Sequence, residues 1–249
     1  TGLNAATNYT ARVRAICSEN DTSSWSNSVS FITACDVVTV DDNNSFFESF
    51  EGSDFGCWTS EIISGTYDWS ISTSYHQSGS SSAFFTWSGL QARLISPVMD
   101  LTNISTQPRL RFYHRQAIWS GGVDAMGVYY RTAPDEAWTL LADYTTEYAN
   151  FTLEEMILPN PSATYQIAFI SNADDNYGIY VDDITVDKAP PCIRPNNLVA
   201  SNVTARTVDL AWNAQNGETE WEVEFNGETV IANENPYVLD VLAPETNYS

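Results

Sequence analysis

The sequence predicts an all-β protein, and three observations carry that prediction. Apolar and polar residues alternate with a period of two through short runs, such as Thr10 to Ala15 and Leu110 to His114. That spacing places successive side chains on opposite faces of a strand. The runs are bounded by clusters of Ser, Asn, Asp, Gly and Pro, the residues that turn a chain. Aromatic residues make up 13% of the 249 residues, and no amphipathic run of helical period has useful length.

The two ends carry the same short phrase. Leu3-Asn4-Ala5-Ala6-Thr7-Asn8-Tyr9-Thr10 matches Leu242-Ala243-Pro244-Glu245-Thr246-Asn247-Tyr248-Ser249 at an offset of 239 residues. A repeat of that period is long enough to hold two domains. After Tyr9, Thr10, Arg12 and Arg14 alternate with Ala11, Val13 and Ala15, as in a half-buried strand. A polar turn from Ser18 to Ser24 leads to a last strand from Trp25 to Thr33. Toward the other end, strands are expected at Val208–Trp212, Trp221–Phe225, Val230–Ile231 and Tyr237–Leu239. Asn226-Gly227 is a hairpin turn between the second and third,.

The Leu-turn-Tyr phrase resembles the corner before the sixth strand of a fibronectin type III sandwich, where the Tyr hydroxyl bonds back to nearby backbone. The resemblance implies that residues 1–35 are the closing strands of such a module and residues 190–249 its opening strands. Residues 1–34 and 192–249 together supply 92 residues, close to the ~100 of one immunoglobulin-like sandwich,. Neither should fold alone, because each leaves half a core and an unpaired sheet edge. Three arrangements complete the module: a window cut from a longer polypeptide, head-to-tail pairing of neighbouring copies into a filament, or closure within one chain. A first residue that is Thr rather than Met, and a stop in mid-module, favour the first.

The middle, residues 36–189, opens with Phe46-Phe47-Glu48-Ser49-Phe50-Glu51-Gly52 and Phe55-Gly56-Cys57-Trp58. It continues through Leu94–Leu101, Leu110–His114, Gly127–Thr132 and Tyr165–Ile170, and closes with Tyr177-Gly178-Ile179-Tyr180-Val181-Asp182-Asp183-Ile184. This succession resembles MAM-type jelly rolls, and more closely the cleaved-adhesin domains of bacterial surface proteins, including the haemagglutinin regions attached to gingipains. The predicted architecture is therefore a jelly-roll β-sandwich flanked by two partial fibronectin type III sandwiches.

The first and last strands of a jelly roll lie close together, which brings Glu48 and Glu51 toward Asp182 and Asp183. Converging carboxylates repel, and calcium, with its tolerance of six to eight hard oxygen ligands, relieves that repulsion. The resemblance implies a structural calcium here, held by Glu51 and one of Asp182 or Asp183, with Glu48 and Asp54 as further candidates. Adjacent strand residues face opposite ways, so Asp182 and Asp183 are not expected to act from one side. The alternative is that these acids cap turns or accept backbone hydrogen bonds.

Cys35 and Cys57 are expected to form a disulfide at the entrance of the middle domain. Cys17 and Cys192 sit in the two half-modules, and are expected to find partners only where a module is complete. Buried thiols are the alternative. No Cys-x-x-Cys occurs, which leaves zinc and dithiol chemistry without support.

The 32 acidic residues outnumber the 10 basic ones, for a net charge of −22, and Lys188 is the only lysine. That balance argues against nucleic acid and anionic lipid as partners. No apolar run is long enough to span a membrane. Catalysis has little support. His114 lies on an alternating strand and reads as a packed residue. Asp135-Glu136 and Glu154-Glu155 are adjacent pairs, which diverge on a strand and read as solvated loops rather than the facing acids of a glycosidase. Trp69, Tyr75, Trp87, Trp119 and Tyr144 are candidates for stacking on sugars, against the alternative that they fill the core.

The expectation is a non-enzymatic segment of a secreted or cell-surface adhesin. It would alternate fibronectin type III modules with calcium-stabilised jelly rolls, and its partners would be neighbouring copies, glycans or host-surface proteins. A carbohydrate-binding accessory region of a secreted hydrolase is the second reading, and a self-assembling filament subunit the third.

Overall fold

A computed structural model describes residues 2–86, 90–118, 122–173, 177–214 and 217–248 of the chain. Every regular element among them is a β-strand.

Residues 2–34 hold β1 (Asn8–Ala11), β2 (Ile16–Ser18), β3 (Asp21–Thr22) and β4 (Val29–Ile32). β1 pairs with β4 and β2 with β3, both antiparallel. Between these pairs serine hydroxyls replace part of the ladder: Ser26 Oγ accepts from Val13 N at 3.0 Å and Ser23 Oγ from Ala15 N at 2.9 Å. No residue of this stretch is buried. Val13, Ile16, Val29 and Ile32 are 62–78% exposed. The half-buried strand expected from Thr10 to Ala15 is thus corrected. β1 ends at Ala11, and the apolar side of the alternation faces solvent because no second sheet among the described residues covers it.

The central region contains β5 (Val38–Asp41), β6 (Phe46–Glu48), β7 (Thr59–Ser64), β8 (Ser70–Ser72), β9 (Ser82–Phe85), β10 (Gln91–Ile95) and β11 (Met99–Asn103). It continues with β12 (Pro108–Gln116), β13 (Ala125–Arg131), β14 (Thr139–Tyr144), β15 (Tyr148–Ile157), β16 (Gln166–Asn172) and β17 (Ile179–Lys188). These form a jelly-roll sandwich. One sheet runs β14-β13-β16-β10-β7 and the other β15-β12-β17-β9-β8, with β6 also on β17. β5 and β11 form a short parallel pair beside them.

Alternation decides which residues fill the space between the sheets. Along β12, Leu110, Phe112, His114 and Gln116 are buried while Arg109, Arg111, Tyr113 and Arg115 point outward. The core they enter includes Trp58, Trp69, Phe85, Phe112, Phe169, Leu94 and Ile167. Phe112 makes a ring contact with Phe169 at a centroid distance of 5.0 Å, which ties one sheet to the other, and Trp58, just before β7, adds a contact with Phe169 at 6.3 Å,. On the outer face Arg109 Nη2 lies 2.9 Å from Asp187 and Nη1 3.3 Å from Glu155, joining three neighbouring strands.

The C-terminal region comprises β18 (Asn196–Ser201), β19 (Val208–Asn213), β20 (Trp221–Phe225), β21 (Glu228–Ala232) and β22 (Tyr237–Leu239). A three-stranded sheet β18-β19-β22 faces the β20-β21 hairpin. The hairpin turns at Asn226 and Gly227, whose φ values of 48° and 82° are those an Asn-Gly turn supplies,. Its core is small: Val208, Phe225 and Leu239, with Leu210, Val230, Tyr237 and Leu242 packed against them.

The matched phrases at the two ends fold alike. Tyr9 Oη accepts a hydrogen bond from Asn4 N at 2.8 Å, and Tyr248 Oη accepts one from Ala243 N at 2.7 Å. Thr7 Oγ1 donates to Ala5 O, and Thr246 Oγ1 to Pro244 O. Ala6 and Glu245 both adopt the left-handed conformation, with φ of 46° and 56°. Among the described residues, the strands of residues 2–34 share no sheet with β18–β22.

Candidate functional site

β6 and β17 are paired, with Glu48 opposite Ile184, so the acids at the front of the sandwich do approach those at its back. They converge on the loop between β8 and β9. Asp182 Oδ2 accepts from Gln77 N at 2.6 Å and from Ser78 N at 3.3 Å, and its Oδ1 accepts from Asp183 N at 2.8 Å. Asp183 Oδ1 accepts from Ser78 Oγ at 2.6 Å. Glu51 Oε2 takes both Ser80 N and Ser80 Oγ, and Oε1 takes Ser81 N. Glu48 accepts from Phe50 N. Gly79 sits directly beneath the Glu51 carboxylate with φ of 59°; a Cβ there would overlap it,.

Asp182 and Asp183 therefore act from the same side, which corrects the expectation from simple alternation. The register of β17 on β12 slips between Arg111 and Tyr113, and Asp183 takes a φ of 48° at that bulge. A bulge adds one residue and re-aims the next side chain.

Asp182 is fully buried. That burial pushes its carboxyl up to about 6, against the three backbone N–H groups from Gln77, Asp183 and Ser78 that favour the ionised form,. The Ser80 hydroxyl and amide hold Glu51 below its ordinary range. Among the described residues no three His, Cys, Asp or Glu side chains gather into a group able to hold a metal ion. The oxygens of Asp182 and Glu51 face N–H and O–H donors of the loop, and Asp54 Oδ1 accepts from Gly56 N.

The loop so anchored folds back over the outer face of the β15-β12-β17-β9-β8 sheet. Phe84, Tyr180 and Arg115 are direct cross-strand neighbours on that face,. Phe84 stacks on Tyr180 at 4.6 Å, Tyr75 meets Tyr180 edge-on at 5.2 Å, and the Arg115 guanidinium lies over the Tyr75 ring at 3.9 Å. Ser82 Oγ donates to Tyr75 O and fixes the loop from the other side. The register of β12 on β15 slips between His114 and Gln116, at Arg115. Arg115 Nε donates to Ala149 O at 3.0 Å. A cleft of about 300 Å³ results, lined by Ser74, Tyr75, His76, Arg115, Asn150 and Phe151, with Ala149 between.

Of the aromatic candidates, Tyr75 is 47% exposed at this cleft. Trp69 and Tyr144 are core residues, buried by the opposite sheet; Trp69 Nε1 donates to Ala92 O. Trp87 and Trp119 lie outside the described residues. Arg115, Asn150 and Phe151 are lining residues that sequence reasoning missed. Arg115 carried one signal, as a rare base in a strongly acidic chain.

His114 is fully buried. Its Nδ1 lies 2.8 Å from Gln116 Oε1, and its Nε2 lies 3.8 Å from a Glu154 carboxylate oxygen. Glu154 and Glu155 are not in a solvated loop as expected: both lie on β15, and their side chains are only 14% exposed. Arg109 holds Glu155 there, and the His114 ring lies beside Glu154. Cys35 and Cys57 form a disulfide with a Cα–Cα distance of 5.9 Å, while Cys17 and Cys192 are exposed free thiols.

No protein-family profile and no curated protein matches the sequence. Solved structures do. The K3 cleaved adhesin domain of Lys-gingipain from Porphyromonas gingivalis is 17% identical, with 58% of this chain and 98% of that one covered and a TM-score of 0.46. The CBM22-1 xylan-binding domain of Paenibacillus barcinonensis Xyn10C is 12% identical, covering 58% and 95% with a TM-score of 0.41. TmCBM61, solved in complex with β-1,4-galactotriose, is 11% identical, covering 57% and 94% with a TM-score of 0.43.

Proposed function

We propose that the chain is a non-enzymatic repeat segment of a secreted or surface-exposed adhesin. Its central sandwich is a rigid body held between immunoglobulin-like modules, each completed by strands of the adjoining repeat. The observation that carries this reading is the pair of tyrosine corners, alike in hydrogen bonds and backbone conformation and 239 residues apart. The exposed apolar side chains of residues 2–34 support it, since Val13, Ile16, Val29 and Ile32 lack the opposite half of a core. Such an array presents many weak contacts at once.

The alignment equates Ser249 with Thr10, so two copies should be joined with Ala11 directly after Ser249. Hydrogen exchange is expected to show strong protection at the junction, in β19–β22 of the first copy and β2–β4 of the second, and weak protection in the same strands of a single chain. Under air oxidation, Cys192 of the first copy and Cys17 of the second are expected to pair, dioxygen taking the two electrons and two protons, with a mass loss of two hydrogen atoms. Unchanged exchange at the junction would end the reading. The second reading, a carbohydrate-binding module of a secreted hydrolase, is favoured by the Tyr75 cleft alone.

Calcium enters this proposal as the counter-charge to Glu51, Asp182 and Asp183, which border one loop, with Glu48 on the neighbouring strand β6. The burial of Asp182 supports it. The N–H donors that already face Asp182 and Glu51 weigh the other way, so ligation requires the loop to open or carbonyl oxygens to turn in. Exhaustive EDTA treatment is expected to lower the melting temperature of the central sandwich; an unchanged transition removes calcium from the scheme.

A further inference from the structure

We propose that the cleft between the β8–β9 loop, residues 73–81, and β15 binds a carboxylate-bearing sugar. This does not depend on the repeat organisation. Charge points to the ligand first. The chain carries a net charge of −22, yet the cleft is lined by Arg115 and His76 and by no carboxylate. The carboxylates that anchor its loop, those of Asp182, Asp183 and Glu51, are taken up by hydrogen bonds from Gln77, Ser78 and Ser80, which leaves Arg115 and His76 as the chargeable groups of the lining itself,.

The state of Arg115 points the same way. Its Nε is used by Ala149 O, but its buried Nη1 has no hydrogen-bond partner. Arg115 lines the cleft, and a guanidinium is built to pair with a planar carboxylate,. The Tyr75 ring, which Arg115 covers at 3.9 Å, preorganises the cation,.

Size and composition favour a sugar over a peptide. A cleft of about 300 Å³ takes one or two pyranose rings,. Half-exposed Tyr75 and partly exposed Phe151 supply apolar walls for ring carbons, and Ser74, His76 and Asn150 supply partners for hydroxyls. The cleft lies beside the Phe84–Tyr180–Arg115 row on the outer face of the sheet and reaches β15, the edge strand, so an acidic peptide is the competing ligand that the test must separate from a sugar,.

The test uses the full chain and three probes: a galacturonic acid trisaccharide, sialyllactose and the carboxyl-reduced galacturonic trisaccharide, in EDTA to prevent calcium bridging. Calorimetry and amide chemical shifts give the readout. At least one acidic sugar is expected to bind, with shifts centred on Tyr75, His76, Arg115 and Asn150, while the reduced sugar does not. Arg115→Gln is expected to weaken binding by about tenfold or more at an unchanged melting temperature. If that variant is destabilised, the shift map and the reduced probe on the native chain decide the matter. Binding of neither acidic sugar, equal binding of the reduced one, equal binding of an oligoglutamate peptide, or shifts centred elsewhere overturns the proposal.

Discussion

At the residue scale, Asp182 shows how one buried carboxylate can organise a loop and still weaken the fold. Its oxygens take three backbone N–H groups, two of them from the loop that carries Tyr75 and His76. Full burial nevertheless raises its carboxyl from the ordinary 3.8 to about 6. The protonated form is therefore favoured in the folded state relative to the unfolded chain. The associated stability is fully present below about 3.8 and is lost as the pH rises through about 6,. Asp182→Asn cannot titrate. In EDTA, the stability of the native chain relative to this variant should fall by roughly 2–3 kcal/mol between those limits. Denaturant melts of both proteins across that range measure it; parallel curves would show that the carboxyl is not strained. Residue-level reading of the sequence found the acids but misjudged their directions. Alternation is only as good as its register, and the bulge at Asp183 is set by pairing with β12.

At the element scale, the strands were mostly legible and their burial was not. β12, β17, β19 and β20 appear where period-two patterns and turn residues place them. The same pattern in residues 10–15 yields an exposed stretch, because alternation says that two faces differ and not that anything covers one of them,. Trp69 and Tyr144 carry the same lesson in reverse: an aromatic ring reads as core or surface only once the opposite sheet is known. The link from Cys35 to Cys57 ties the chain before β5 to the start of β7, closing a loop of 22 residues in sequence separation. Replacing both with Ser should destabilise the central sandwich by about 3 kcal/mol in the chain-entropy picture. The expected sign is a lower denaturation midpoint with the slope little changed, read by Trp fluorescence. Loss of β1–β4 exchange protection alone, with the midpoint intact, would mean that the bond secures only the entrance.

At the scale of the whole molecule, one large core and one small one stand apart. The first spans Val40 to Val186 and the second rests on Val208, Phe225 and Leu239, while residues 2–34 bury nothing. That gradient is why the tandem fusion is the decisive experiment for the proposed role: a stretch without a core gains most from a covering sheet. The surface is equally uneven. Lys188 is engaged with Asp42 and Ser105, Arg109 and Arg111 with Asp187. Arg115, like Arg12, Arg14 and Arg131, is committed to no carboxylate, and what sets it apart is its place in the lining of a cleft.

The sequence by itself determined the all-β class, the hairpin at Asn226-Gly227 and the duplicated corner phrase, because strand period, turn chemistry and short-range hydrogen bonding are local properties. It also drew attention to the acids at both ends of the central region. Only the tertiary structure decided that Asp182, Asp183 and Glu51 anchor one loop, and that Tyr75 closes over Arg115. Those contacts join residues such as Gln77 and Asp182, more than a hundred positions apart. Which of them meet depends on strand order and on two register slips, and neither is written in any single segment of the chain.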